Sequence, residues 1–252
     1  MHMEGQWPAT HSPAVLFDVD GTLVDSNYLH VYAWQRAFDD ENLNVEAWRI
    51  HRCIGMDGST LVRVLSDDAD DDVQQRLKDQ HTHYYRETTS LLHPLPGARE
   101  LLNRVAELGL QVVLATSAPE DELAILRRVL DCDEVISEVT SAGDVDTAKP
   151  QPDIVQVALD RAQVPADRAV FIGDAVWDAE ASTRAGVPSI GVLSGGVSRT
   201  ELESAGASAT FENPQALLAD IESTRIAELA VSKSTRFAEL CSPLAKTRAA
   251  GE

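Results

Sequence analysis

In the stretch LFDVDGTLVDS, Leu16 to Ser26, an apolar run ends in two aspartates, Asp18 and Asp20, and Gly21 and Thr22 follow at once. Positions i and i+2 share one face of a strand, so the two carboxylates point together if the strand continues and stay neighbours if Gly21 bends the chain instead. Two carboxylates at one site call for a cation, a division of labour, or both: one anion as nucleophile or ligand, the other protonated for part of a cycle. A free aspartate has a pKa of about 3.9, so an acid role for Asp20 requires surroundings that raise it. A turn that merely favours Asp and Gly is the plainer reading of an isolated Asp-x-Asp-Gly.

Three other stretches carry groups that suit the same chemistry. Thr116 and Ser117 close the run QVVLATS and offer hydroxyl and N–H groups to phosphate oxygens at a helix start, although both are ordinary N-caps as well. Lys149 precedes PQPD on a stiff loop, where it can hold a fixed positive charge against phosphate or simply be solvated. Asp174 ends VFIGD and Asp178 follows four residues later in the next helical turn. Together with the first pair they would make an oxygen-rich site for a hard divalent cation such as magnesium, while a helix cap is the alternative.

These groups need elements to position them. Ala14–Phe17, Gln111–Ser117 and Ala169–Asp174 read as short buried strands, Pro188–Leu193 as a further one, and the first three are joined by amphipathic helices in βαβ units. GARELLNRVAELG with Gly109 as its stop, PEDELAILRRVL with acids in its first turn, and PDIVQVALDRAQ with Pro152 near its start are the crossover helices. Right-handed crossovers place all the strand C-termini on one edge, where open α/β sheets bind ligands. The fold class is therefore α/β, a Rossmann-like three-layer α/β/α core with a parallel sheet.

From Asn27 to His93 the pattern changes. YLHVYAWQRAF, STLVRVLS and VQQRLKDQHTHYYRE have helical spacing with no strand between them, so residues 27–93 read as an inserted helical domain that returns at HPLPG. Residues 13–26 and 94–224 form the discontinuous core, and 225–252 a C-terminal extension that is a marginal helix or none. The acidic run Asp67–Asp72 lacks the spaced ligands of an EF-hand and reads as a solvated turn.

The 252 residues are 44% hydrophobic, enough to bury a core, and carry a formal net charge of −20. That charge repels polyanions, which argues against nucleic acid or an anionic membrane as partner, but a local cluster of cations and N–H groups still admits a small phosphate. Cys53, Cys132 and Cys241 show neither disulfide nor zinc spacing and suit a reducing cytoplasm. No run of eighteen apolar residues and no secretory start is present, and the first dozen residues are expected to be loosely held.

Asp-x-Asp-Gly-Thr, then Thr/Ser, then Lys-Pro, then Gly-Asp-x-x-x-Asp, in this order at the ends of parallel strands, resembles the motif set of the haloacid dehalogenase superfamily of phosphotransferases from Pro13 to Ile221. The helical insertion resembles that family's helical cap. The resemblance implies a magnesium-dependent phosphatase for a small phosphorylated metabolite, with Asp18 as nucleophile forming an aspartyl-phosphate and Asp20 as acid and base. It implies magnesium on the Asp18 carboxylate, the Asp20 carbonyl and Asp174, with Asp178 in support. Phosphate would sit against Lys149, Thr116 and the nearby backbone of Gly21 and Ser117. Members of the family that cleave carbon–halogen bonds lack the second aspartate, so Asp20 favours phosphoryl transfer. Arg52 and Gly55 in HRCIGMDG resemble the specificity loop of the helical caps, and His30 resembles in position a histidine of the sugar-phosphate mutases and of some phosphatases. A phosphosugar mutase of the β-phosphoglucomutase kind is the rival reading. Such mutases carry glutamate where this chain has Gly173, and Lys78 is the nearest counterpart of their cap lysine. A non-catalytic binding protein on the same fold is the second rival.

Overall fold

The structure is a computed structural model that describes residues 11–231 apart from Asp146 and Ala148. Residues 1–10, expected to be loose, and 232–252, most of the expected extension, lie outside the described residues.

Six parallel strands form one sheet: β1 Ala14–Phe17, β2 Gln111–Ala115, β3 Ile136–Thr140, β4 Ala169–Gly173, β5 Ser189–Val192 and β6 Ala207–Phe211, in the spatial order β3-β2-β1-β4-β5-β6. In β1 the side-chain alternation divides the core. Val15 and Phe17 enter one apolar cluster, and Ala14 and Leu16 enter another on the opposite face. Burial on both faces explains why β1, β2 and β4 are continuous apolar runs. The sequence reading missed β3 and β6. Both are edge strands whose residues are partly exposed, and ISEVT and ASATF lack the unbroken apolar signature.

Four helices follow β1: α1 Asn27–Asp40, α2 Ala47–Cys53, α3 Gly58–Leu65 and α4 Asp71–Thr88. They close around an apolar cluster of their own, including Trp34, Phe38, Ile50, Leu61, Leu65 and Leu77, distinct from the clusters over the sheet. The acidic run is a turn: Asp67 and Asp68 take positive φ, and the Asp70 carboxylate caps α4 by accepting from the Val73 N–H at 2.9 Å. The two chain segments that join these helices to the sheet run side by side, with the Asp25 N–H donating to the His93 carbonyl and the Leu95 N–H to the Leu23 carbonyl.

The remaining helices pack on the sheet. α5 Ala98–Glu107 and α6 Glu120–Leu130 cover the Val15 and Phe17 face, α7 Asp153–Ala162 and α8 Val176–Ala185 the other, and α9 Arg199–Ala205 and α10 Pro214–Ala219 follow β5 and β6. Among the described residues no helix is long and apolar enough to cross a membrane.

Residues 225–231 are helical, and Ile226 and Leu229 are buried in the same cluster as Phe17. The expected boundary at 224 thus falls short of the core's own packing. Ile226→Ala should lower unfolding free energy by about 2–4 kcal/mol, the usual cost of emptying a buried aliphatic site. A urea midpoint unchanged from the parent chain would show that this helix is not part of the cooperative fold.

Candidate active site

The C-terminal edge of the sheet gathers the polar groups. Asp18 follows β1, Thr116 follows β2, Asp174 follows β4, and Lys149 lies on the connection into α7, all 5% exposed or less. Lys149 Nζ donates to Asp18 Oδ1 at 2.6 Å and forms an ion pair with Asp178 Oδ1 at 2.7 Å. Its charge is favoured strongly: burial opposes it, but Asp178 and Asp18 outweigh burial and push its pKa up. Asp178 in turn accepts from the Ala175 N–H at 3.0 Å, which fixes the first turn of α8.

Asp174 is held from two sides, with Thr22 Oγ1 donating to Oδ1 and Asn27 Nδ2 to Oδ2, both at 2.8 Å. The chain leaves little room there. A Cβ on Gly195 would lie 1.7 Å from Asp174 Oδ2, and one on Gly21, where φ is +69°, would meet Asn27 Nδ2 at 2.3 Å. Ser194 Oγ donates to the Gly21 carbonyl at 2.7 Å and ties the two loops together. Sequence reasoning missed Thr22, Ser26 and Asn27, although all three lie in or beside the opening motif.

Carboxylate oxygens of Asp18, Asp174 and Asp178 come within 4.8 Å of one another. Three buried carboxylates face one buried ammonium, so two negative charges are left without a partner in a place that solvates them poorly. The result is visible in their proton affinities. Burial pushes Asp18 well above the carboxylate range despite Lys149, and burial with the neighbouring Asp178 pushes Asp174 up to about 7. Oxygen donors, close spacing and uncompensated charge fit a hard divalent cation.

Asp20 sits differently. Ser26 Oγ donates to its Oδ1 at 2.5 Å, and His30 Nε2 lies 3.3 Å from the same oxygen. Burial works against the Asp20 anion, but His30 and Ser26 prevail and hold its pKa low. His30 Nε2 is also 3.3 Å from Glu122 Oε1, while Nδ1 is 3.1 Å from His81 Nε2. Burial disfavours the imidazolium, yet Glu122 and Asp20 raise the His30 pKa to about 10; His81 is pushed well below its ordinary value by burial and by His30. His81 therefore accepts and His30 donates. Glu122, His81 and Tyr85, against whose ring His30 stacks at 4.1 Å, were not singled out from the sequence.

Asp18, Asp20, Thr116, Ser117, Lys149, Gly55 and His30 all line one cavity of about 380 Å³ between the sheet edge and α1–α4, with Trp34, Lys78 and His81 on the opposite wall. Thr116 Oγ1 accepts from the Ala118 N–H at 3.1 Å, which leaves its proton for a ligand. Ser117 Oγ donates to the Gly55 carbonyl at 3.3 Å, so this hydroxyl meets the helical insertion. Arg52 departs from the expectation. It lies in the last turn of α2 rather than in a loop, half exposed and paired with Glu201, and it does not line the cavity.

The chain matches the haloacid dehalogenase-like hydrolase family over residues 15–192, and Asp18, Asp20, Thr116, Lys149, Asp174 and Asp178 all fall inside that span. The chain belongs to this family. Within it, the chain is 31% identical to the phosphoglycolate phosphatase of Rhodospirillum rubrum across 79% of this chain and 87% of that protein. It is 28% identical to the phosphorylated carbohydrates phosphatase of Thermotoga maritima across 70% and 83%. A crystal structure of a hydrolase from Pseudomonas syringae superposes with a TM-score of 0.81 at 37% identity, covering 84% of this chain and 99% of that one. The β-phosphoglucomutase of Clostridium difficile shares the fold with a TM-score of 0.75 at 18% identity over 89% and 100%.

A cation held by this cluster should show in the protein's stability. A carboxyl whose folded pKa is raised favours folding below its unfolded value near 3.8 and loses that contribution as pH rises through about 7. In chelator, wild type should therefore lose about 1.4 kcal/mol per pH unit relative to Asp174→Asn across this window and level off above it. In saturating magnesium chloride the order should reverse, with wild type the more stable. Thermal unfolding at pH 5 to 8 checks both; curves that stay parallel in chelator and ignore the salt would remove the cation reading.

Proposed function

We propose that this chain is a magnesium-dependent phosphatase that hydrolyses a small phosphorylated metabolite through an aspartyl-phosphate on Asp18. The observation that carries the reading is the buried Asp18–Lys149 contact at 2.6 Å beside Asp174 and Asp178, with Asp20 next to it on the cavity wall. Magnesium on the Asp18, Asp174 and Asp178 carboxylates and the Asp20 carbonyl would offset the repulsion between an anionic nucleophile and an anionic ester.

The chain's own groups supply the rest. Lys149 favours the Asp18 anion against the burial that opposes it and fixes Oδ1, so the carboxyl group is presented to phosphorus in one orientation. Asp18 forms a bond to phosphorus as the ester P–O bond breaks, and Asp20 gives its proton to the departing oxygen. Asp20 rests as an anion, but a phosphate dianion beside it opposes that charge and raises its proton affinity. Asp20 then takes a proton from the water that attacks the phospho-aspartate, which frees Asp18 and phosphate. Lys149, Thr116 Oγ1 and the backbone of Gly21 and Ser117 hold the equatorial oxygens.

A cavity of this size suits a small organophosphate, in keeping with the phosphoglycolate and phosphorylated-carbohydrate phosphatases among the relatives. We read α1–α4 as a cap over residues 27–93 that closes on the paired segments at 24–25 and 93–95 and excludes water. Gly55 on the wall is the cap's specificity position, whereas Arg52 holds the cap edge to Glu201. Lys78 does reach the cavity, as a phosphosugar mutase would require. Against the mutase stands Gly173: a Cβ there would lie 2.5 Å from Asp178 Oδ2, so the glutamate of those enzymes does not fit with Asp178 in place.

Wild type should hydrolyse p-nitrophenyl phosphate only with a divalent cation, and Asp18→Asn should abolish the activity. Isomerisation of glucose 1-phosphate, primed with glucose 1,6-bisphosphate and without phosphate release, would replace the phosphatase reading with the mutase. Activity retained by Asp18→Asn would remove both.

A further inference from the structure

Glu122 belongs to none of the motifs above, yet it is the buried acid nearest to the Asp20 network. It lies in the first turn of α6, its side chain 12% exposed, with Oε1 3.3 Å from His30 Nε2. The same Nε2 is 3.3 Å from Asp20 Oδ1, so one ring nitrogen is shared between two carboxylates from different elements of the core. The ring cannot turn away. Its other nitrogen is tied to His81 at 3.1 Å, its face stacks on Tyr85, and His81 is itself stacked on Trp34 at 4.0 Å. These three carboxylate and imidazole side chains are close enough to grip a metal ion, but here the His30 ring already lies between the two acids.

The effect on Asp20 is directional. Both of its donors, His30 Nε2 and Ser26 Oγ, converge on Oδ1. Both contacts anchor Oδ1 on a carboxyl that lines the cavity. His30 rides on α1 and Glu122 on α6, so the bridge exists only while the helical insertion is seated on the core.

We propose that Glu122 is a positioning residue for proton transfer by Asp20, acting through His30 to fix the carboxyl when α1 is seated. The inference rests on the phosphatase reading, in which Asp20 protonates the leaving oxygen. An alkyl phosphate needs that proton, because an alkoxide is a poor leaving group. A p-nitrophenyl ester does not, because its phenolate leaves unprotonated.

The test is kcat/KM for the two ester types, since this quantity covers the steps up to phosphorylation of Asp18 and omits the shared hydrolysis. Glu122→Ala should lose about tenfold or more on an alkyl ester such as glycerol phosphate, part of the 10²–10⁴-fold that a placed general acid supplies, and less than about threefold on p-nitrophenyl phosphate. Glu122→Gln, which keeps the volume and an acceptor oxygen, should fall between wild type and Glu122→Ala on the alkyl ester alone. It also decides the matter if Glu122→Ala does not fold. Equal losses on both esters, or none on either, would overturn the inference while leaving the phosphatase intact. A wild-type chain inactive on both esters, or active without Asp18, would overturn the underlying reading instead.

Discussion

A buried lysine governs this molecule. Lys149, its side chain without solvent exposure, lies between Asp18 and Asp178 and over the Phe171 ring at 5.3 Å. An ammonium in such a place is tolerated only with close anionic partners, and losing one partner of a buried pair costs about 3–5 kcal/mol. The strands that bring Asp18 and Asp174 to the same edge, the loop that delivers Lys149 and the glycines that clear space around Asp174 are therefore one construction. Parallel pairing of β1 with β4, register Phe17 to Ile172, sets Asp18 level with Gly173, one residue before Asp174, at the same sheet edge.

Two carboxylate clusters meet beside the cavity, and they differ in charge balance. Around Lys149, three carboxylates meet one cation, and the deficit shows as raised pKa values at Asp18 and Asp174. Around His30, two carboxylates meet one imidazolium, and Asp20 stays an anion. The first cluster attracts positive charge and, on the proposed reading, phosphate through it. The second carries the smaller excess of negative charge and is suited to holding or passing a proton.

Much of this could be read from the sequence, for a physical reason. Asp18, Thr116, Lys149 and Asp174 each follow or adjoin a strongly patterned element, and parallel topology alone brings such ends together. Glu122 and His81 escaped because nothing local marks them. A glutamate in a first helical turn is ordinary, and His81 gains meaning only when α4 packs on α1 and places it against His30. Arg52 was misplaced because α2 spans seven residues, Ala47–Cys53, with only Ile50 and Cys53 buried, too short a pattern to show its period. The edge strands β3 and β6 were lost because half-exposed strands carry polar residues.

The contacts that seat α1–α4 on the core differ sharply in kind. Arg52 with Glu201 and Arg86 with Asp121 are largely exposed, and such pairs contribute about 0–1 kcal/mol each. His51 Nε2 with the Gly195 carbonyl at 2.8 Å and Ser117 with Gly55 are single hydrogen bonds at the rim. Two contacts lie deeper: Asn27 Nδ2 donates to Asp174 Oδ2 at 2.8 Å, and the His30 bridge forms around Asp20 itself. With the insertion read as a lid, contacts that are exposed at its edge and buried at its centre tie its closure to what lies beside Asp20 and Asp174. On the proposed phosphatase reading, phosphate in the cavity would act on the lid through the carboxyl that donates the proton, so that seating the insertion and preparing the acid become a single event rather than two.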